Sequence, residues 1–272
     1  MWTLTGFADE VPLSFKGQLR VLTRVGIQHV DLRHLGRTPV LEAKPRHLNA
    51  AQRTLDEAGI AVASIATTVG KVPVTESFTR QLNGLKQAIE LAHRFGTPRV
   101  RIFSNVLPRK DDPAQHRRTV LGRMDRFADL AADEGITLLL ENEATTFASL
   151  PTRTADIARS VDADNLRLIF DPVGFLRVGV RPTEALSVLR PWVSYLHVKD
   201  ARKAGKVVVM PGTGEAQLPE IVRTLATDGF TGTAALEPAV GLGGRRPASP
   251  GDWQKASRAF GTLLTAAGVQ VE

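Results

Sequence analysis

The chain has 272 residues, 43% of them apolar and 23% charged, with a formal net charge of +7 and no cysteine. That length supports a core well beyond the marginal range, and the missing cysteine excludes disulfides and thiolate-bound metal. The basic excess is mostly arginine scattered along the chain, with adjacent arginines only at Arg117-Arg118 and Arg245-Arg246; this is the pattern of a solvated surface, so nucleic acid is not an expected partner.

Short apolar runs alternate with amphipathic stretches from one end to the other. A strand over residues 4–7 is followed by a helix over 14–25, a strand over 29–32 by a helix over 47–58, and a strand over 61–66 by a helix over 75–95. The series continues with strand 99–103 and helix 113–134, then strand 137–140 and helix 152–161. Strand 167–170 and helix 182–189, strand 194–198 and helix 218–228, and strand 233–236 and helix 249–267 complete it. Gly26, Gly59, Gly96, Gly135 and Gly229 each stand between a helix and the next strand, where a left-handed cap lets the chain turn back. Asp112 before Pro113 is a helix start by the same logic.

Eight such units with no Pro/Gly/Ser linker between them predict an α/β fold, a single (β/α)8 TIM barrel over residues 1–272. An open doubly wound sheet is the alternative, weakened by the lack of a GxGxxG after the first strand. No apolar run reaches the roughly 18 residues of a membrane span. The opening Met1-Trp2-Thr3-Leu4-Thr5-Gly6 has neither the basic nor the apolar region of a leader. The expectation is a cytoplasmic protein.

In a barrel the active site lies where the strands end. The fifth strand ends in Glu141-Asn142-Glu143, the sixth in Asp171-Pro172, the seventh in His197-Val198-Lys199-Asp200 and the eighth in Glu237-Pro238. Burying such charges unpaired costs several kcal/mol, and alternation places no charged residue beneath Glu141, His197 or Glu237 within its own strand. A cation above them is the economical compensation, and three carboxylates with one imidazole suit a hard or borderline divalent ion. Taken singly, each residue has a plainer reading: Asp171 as a helix cap, His197 as a core group, Glu237 as a rim charge. Four coincidences on adjacent strands favour one shared metal.

The segments Gly6-Phe7-Ala8-Asp9-Glu10, Val30-Asp31-Leu32-Arg33, Arg101-Ile102-Phe103-Ser104, Leu140-Glu141-Asn142-Glu143, Phe170-Asp171-Pro172, Leu196-His197-Val198-Lys199-Asp200, Pro211-Gly212-Thr213-Gly214-Glu215 and Leu236-Glu237-Pro238 together resemble the xylose-isomerase-like TIM barrels, in particular the sugar phosphate isomerase/epimerase branch. The resemblance implies one divalent ion, Mn²⁺ first and Mg²⁺, Co²⁺ or Zn²⁺ otherwise, on Glu141, Asp171, His197 and Glu237. It implies that Glu141 and Glu237 also act as the catalytic pair, one removing and one returning a proton through an enediolate. Three positions depart from the family pattern: Ala144, Gly174 and Ala239 stand where Lys, Asn and His are common.

Lys199, Glu143, Arg33, His34, Lys71, Arg101 and Glu215 are the substrate-binding candidates, with a structural ion pair as the other reading of Arg33 and Arg101. The expected activity is a metal-dependent sugar, keto-sugar or cyclitol isomerase or epimerase. A lyase or dehydratase on a keto-inositol or 3-keto-glycoside would use the same site. An apurinic-site endonuclease of the endonuclease IV type would need a zinc cluster and more well-placed histidines than the six present. A non-catalytic partner subunit is the remaining reading. The expected partner is a small sugar, with no membrane, and a homo-oligomer is allowed.

Overall fold

The computed structural model describes residues 1–238 and 247–271. Eight parallel strands form one sheet: β1 (Thr3–Gly6), β2 (His29–Leu32), β3 (Ala61–Ala66), β4 (Arg99–Ile102), β5 (Thr137–Glu141), β6 (Leu166–Phe170), β7 (Val193–Val198) and β8 (Thr233–Leu236). Each of β2 through β8 is paired with its sequence neighbour, and β8 pairs back onto β1 with Thr3 beside Thr233 and Gly6 beside Leu236. β1 and β2 lie side by side without a ladder, so the barrel is nearly closed.

The helices between the strands are α1 (Phe15–Arg24), α2 (Pro45–Ala58), α3 (Phe78–Phe95), α4 (Pro113–Ala132), α5 (Pro151–Val161), α6 (Pro172–Arg177), α7 (Pro182–Leu189), α8 (Leu218–Thr227) and α9 (Pro250–Ala266). The five glycines at helix-to-strand junctions take φ between 63° and 77°, the left-handed conformation expected of them. Asp112 caps α4 by accepting from the Ala114 amide at 3.0 Å. Ser249 starts α9 with a capping box to Asp252, which fixes the direction of the last helix.

Inside the barrel, Phe7, Ala66, Leu139, Ile169, Tyr195 and Ala235 form one buried cluster, separate from the larger core between strands and helices. This inner cluster sets the parity of β5, β7 and β8: residues two positions further on, Glu141, His197 and Glu237, face the same interior at its C-terminal mouth. The most buried-looking strand therefore ends in acid because it ends at the mouth.

The structure adds elements not anticipated from the pattern. The six-residue α6 and the antiparallel hairpins His34–Leu35 with Thr38–Pro39 and Asp200–Arg202 with Val207–Val209 lie in βα loops. Runs of two to six residues carry too few periods to be read. α3 starts at Phe78 rather than at residue 75, with Ser77 in the cap position.

Candidate metal centre

Glu141, Asp171 and His197 each present an atom within 4.8 Å of the others, close enough to share one ion. Glu237 is not one of these three mutually close residues but stands beside them, since His197 Nδ1 lies 3.5 Å from both Glu141 Oε1 and Glu237 Oε2. All four residues are buried, His197 completely. Neither nitrogen of the His197 ring has a hydrogen-bond partner among the described residues, and Glu237 Oε2 has none either. Buried polar atoms are normally satisfied. Two carboxylates and one imidazole gathered this closely, in a buried place, are donor types that suit a divalent cation, and the residues fit that group.

The local folding explains each orientation. Asp171 follows β6 and caps α6, with Oδ1 accepting from the amides of Val173 at 2.8 Å and Gly174 at 3.2 Å. The helix-cap reading and the metal reading are compatible, because the cap uses Oδ1 and Asp171 still offers an oxygen within 4.8 Å of Glu141 and His197. Asn142 points away from the barrel interior toward β6 and clamps the Asp171 backbone through two bonds of 2.8 Å, Nδ2 to the carbonyl and the amide to Oδ1. His197 stands edge-on to Phe7 at 5.3 Å and to Tyr195 at 6.1 Å between ring centroids, so the floor of the centre is aromatic.

Basic residues from the ends of β2, β4 and β7 surround the acids. Arg101 Nη1 is 3.0 Å from Glu141 Oε2, an ion-pair contact that lacks hydrogen-bond alignment. Arg33 bridges, with two bonds of 2.8 and 3.0 Å to Asp9 and one of 3.2 Å to Glu237. Lys199 Nζ is 3.3 Å from Glu237 Oε2. Burial would raise the Glu141 carboxyl, but Arg101 and His197 outweigh it and bring it down to about 2. Burial opposes ionisation of Glu237 too, and Lys199, His197 and Arg33 more than reverse it. Asp171 goes the other way: its burial is only partly offset by Lys199, and its carboxyl is raised. Burial would lower His197, yet Glu141 and Glu237 keep it above its ordinary value.

The remaining candidates are placed as follows. His34 Nδ1 lies 2.6 Å from Asp9 Oδ2, so it joins the Arg33 group. Lys71 Nζ donates to Glu143 Oε2 at 2.6 Å and sits 5.0 Å over the Phe103 ring, forming a second, outer charge pair on the rim. Glu215 is taken up elsewhere: its carboxylate accepts from the amides of Lys203 and Ala204 at 3.1 Å, holding the turn of the second hairpin. The Pro211–Gly214 loop is pinned by Asp200, whose carboxylate accepts from the Gly214 and Ala216 amides at 2.9 and 3.0 Å.

Gly174 has a steric reason, because a Cβ there would come within 2.6 Å of the Asn142 carbonyl oxygen. Ala144 lines a cleft of about 580 Å³ with Arg109 and Arg153 beside the mouth. Ala239 lies outside the described residues. Asp9 and Asn142 are the residues that sequence reasoning missed. Both sit inside quoted strand-end motifs, and Asp9 carries a signal in being acidic, just past the first strand, with no base nearby in sequence.

Residues 19–262 match the family model for the xylose isomerase-like TIM barrel. The chain belongs to that family. It is 25% identical over 133 residues to the 3-dehydroshikimate dehydratase of Bacillus anthracis, covering 49% of this chain and 48% of that protein. It is 24% identical over 179 residues to a putative hydroxypyruvate isomerase of Homo sapiens, covering 62% of this chain and 63% of that one. The matches thus span about half to three-fifths of these relatives, both of which are named as enzymes. Among solved structures, the IOLI protein with a bound zinc atom superposes with a TM-score of 0.82 at 16% identity, covering 97% of this chain and 99% of that chain.

Proposed function

We propose that the chain is a divalent-metal-dependent isomerase or epimerase acting on a keto-sugar or related polyhydroxylated carbonyl compound. The observation that carries this reading is the fully buried His197, neither of whose ring nitrogens has a hydrogen-bond partner among the described residues, grouped with Glu141 and Asp171 and with Glu237 3.5 Å from its Nδ1. When bound there, a divalent cation, Mn²⁺ by our preference, supplies Lewis acidity toward a substrate carbonyl and so acidifies the neighbouring C–H.

The chain's own residues do the rest. Glu141 and Glu237 stand at the ends of β5 and β8, with β6 and β7 between them, so they flank a substrate from two sides. Arg101 on one and Arg33 with Lys199 on the other keep both ionised, and an ionised carboxylate is what can accept a proton. One glutamate removes the proton next to the carbonyl, and the other returns it to the second face or to the neighbouring carbon. Lys199 and Arg33, as fixed cations beside Glu237, also suit the negative charge that develops on the substrate oxygens. A three-zinc nuclease is not favoured, because of the six histidines only His34 and His197 lie at the mouth and His34 is held by Asp9.

A dehydratase is the second reading, favoured by the match to the Bacillus enzyme. It begins with the same proton abstraction and differs in losing a β-hydroxyl. The test uses the Mn²⁺-loaded protein in D₂O with ketopentoses, hydroxypyruvate and 3-dehydroshikimate, followed by NMR and ultraviolet absorbance. Isomerisation or epimerisation puts deuterium on the carbon next to the carbonyl, whereas dehydration gives a new conjugated chromophore. Product formed over many turnovers without carbon-bound deuterium and without elimination would reject proton transfer.

A further inference from the structure

The N-terminal end of the barrel, opposite the metal centre, holds a cavity of about 660 Å³ lined by the first residues of β4, β6, β7 and β8 and the turns before β7 and β8. Small-ligand pockets fall in this size range. Three arginines line it: Arg99, Arg167 and Arg190.

Parity directs two of them inward. Arg99 is paired with Thr137, two residues before Arg101 and Leu139. Arg167 lies two residues before Ile169 in β6. Leu139 and Ile169 belong to the inner cluster, so Arg99 and Arg167 face the barrel axis one layer below it. The electrostatic influence of Arg99 on the Tyr195 hydroxyl agrees with that placement.

Their pairing is unlike that of the arginines at the mouth. Arg33 and Arg101 each meet a carboxylate. Arg99 and Arg167 are half-buried, yet among the described residues neither guanidinium has an ion pair or a side-chain hydrogen bond. Arg190 is matched by Asp228 at 3.2 and 3.3 Å, so the cavity keeps two uncompensated positive charges. Half-buried guanidinium donors with no bonded side-chain partner among the described residues are open to a ligand, and arginine's fixed fork of donors fits carboxylate and phosphate oxygens in pairs.

We propose that this cavity is a second binding site, for a compact anion bearing phosphoryl or carboxylate groups, held between Arg99 and Arg167. It does not depend on the reaction assigned to the mouth. Only the layer of Leu139, Ile169 and Tyr195 separates it from Glu141 and His197, so an occupant lies on the axis of the metal centre without touching it.

Calorimetric titration of the metal-loaded protein with inorganic phosphate and with succinate, at constant ionic strength, tests the site. One saturable event is expected, weakened at least tenfold in the double variant Arg99→Gln/Arg167→Gln and changed less than twofold in Lys199→Met at the mouth. Tighter phosphate identifies the phosphoryl class, and tighter succinate the dicarboxylate class. If the double variant does not fold, phenylglyoxal labelling of the unaltered chain, read by mass spectrometry, replaces it, and the preferred anion is expected to slow labelling of Arg99 and Arg167 at least fivefold. Absence of saturable binding, equal affinity in the double variant, loss of binding in Lys199→Met, or labelling unaffected by anion would each overturn the proposal.

Discussion

The two halves of the barrel mouth differ in charge, one rich in acids with Lys199 among them and the other rich in bases around Asp9. β5 to β8 end in Glu141, Asp171, His197 and Glu237, while β2, the loop after β3, and β4 bring Arg33, His34, Lys71 and Arg101. The acids of one half are tied to the bases of the other, Glu141 to Arg101 and Glu237 to Arg33. Compensation of the buried carboxylates therefore comes from the arginines of the basic half, from Lys199 beside Glu237, and from whatever satisfies the His197 nitrogens, which have no hydrogen-bond partner among the described residues. A charge that looks unpaired along its own strand can be paired from the next strand, as Glu141 is, or from two strands away, as Glu237 is.

The largest effect expected from breaking the comparison comes from the acidic half. Glu141→Gln and Glu237→Gln each keep an oxygen near the centre but lose the basic carboxylate, so turnover should fall by about 10²–10⁴-fold. Circular dichroism should show an unchanged fold. Full activity in either variant would remove that residue from the proton-transfer pair.

Removing a base from the other half should cost less, about 10- to 100-fold, because it disturbs the acid rather than deleting it. Arg101→Met is the sharpest case. Against burial, Arg101 is the main reason that Glu141 titrates at about 2 rather than at the ordinary 4.5. In the folded protein that stabilisation is complete above pH 4.5 and is lost as the pH falls toward 2. Without Arg101 burial prevails, Glu141 takes its proton at higher pH, and the acid limb of the pH–rate profile should move upward. An unshifted acid limb would mean that Arg101 does not govern Glu141.

The same asymmetry explains what could be read beforehand. The acidic half was legible because its ligand types recur at the ends of four consecutive strands, each preceded by an apolar run. The eight βα units were legible from glycine junctions and apolar periodicity. The basic half was read only as separate residues, since neither the Arg101–Glu141 nor the Arg33–Asp9–Glu237 contact has a local signature: their partners lie 40, 24 and 204 positions apart in sequence. Asn142 was hidden by parity, because a residue between two inward acids faces the neighbouring strand, where it holds Asp171 in place. Glu215 stood in a motif of the right kind, but its two backbone contacts belong to a hairpin too short to be foreseen.

A smaller effect is expected one layer down, below the basic half. Asp31 is buried and accepts from Ser64 and, at 2.7 Å, from Tyr195. Burial outweighs those bonds and raises its carboxyl above 3.8. Its contribution to stability is thus fully present below pH 3.8 and is lost as the pH rises through the raised value. Asp31→Asn keeps an acceptor for Ser64 and Tyr195 and cannot ionise. Denaturant unfolding should show the variant gaining on the parent between pH 4 and pH 7, and a parallel pH dependence in the two would contradict this.

The smallest change should come from the rim. Lys71 and Glu143 form a pair whose lysine side chain is 37% exposed, and exposed pairs contribute about 0–1 kcal/mol. Lys71→Met and Glu143→Gln should alter KM by only a few-fold, with kcat nearly unchanged. A loss as deep as that of Glu141→Gln would move Glu143 into the reacting group.

The central claim is that the acidic half holds one divalent ion. Metal analysis by mass spectrometry, after reconstitution with Mn²⁺ and desalting, should give about one ion per chain for the parent and close to none for His197→Ala. The parent's thermal midpoint should fall on chelation, because a ligand at 100 times its Kd stabilises the folded state by about 2.7 kcal/mol. A parent chain that retains no metal and whose midpoint ignores added Mn²⁺, or one that retains three ions, would contradict the account.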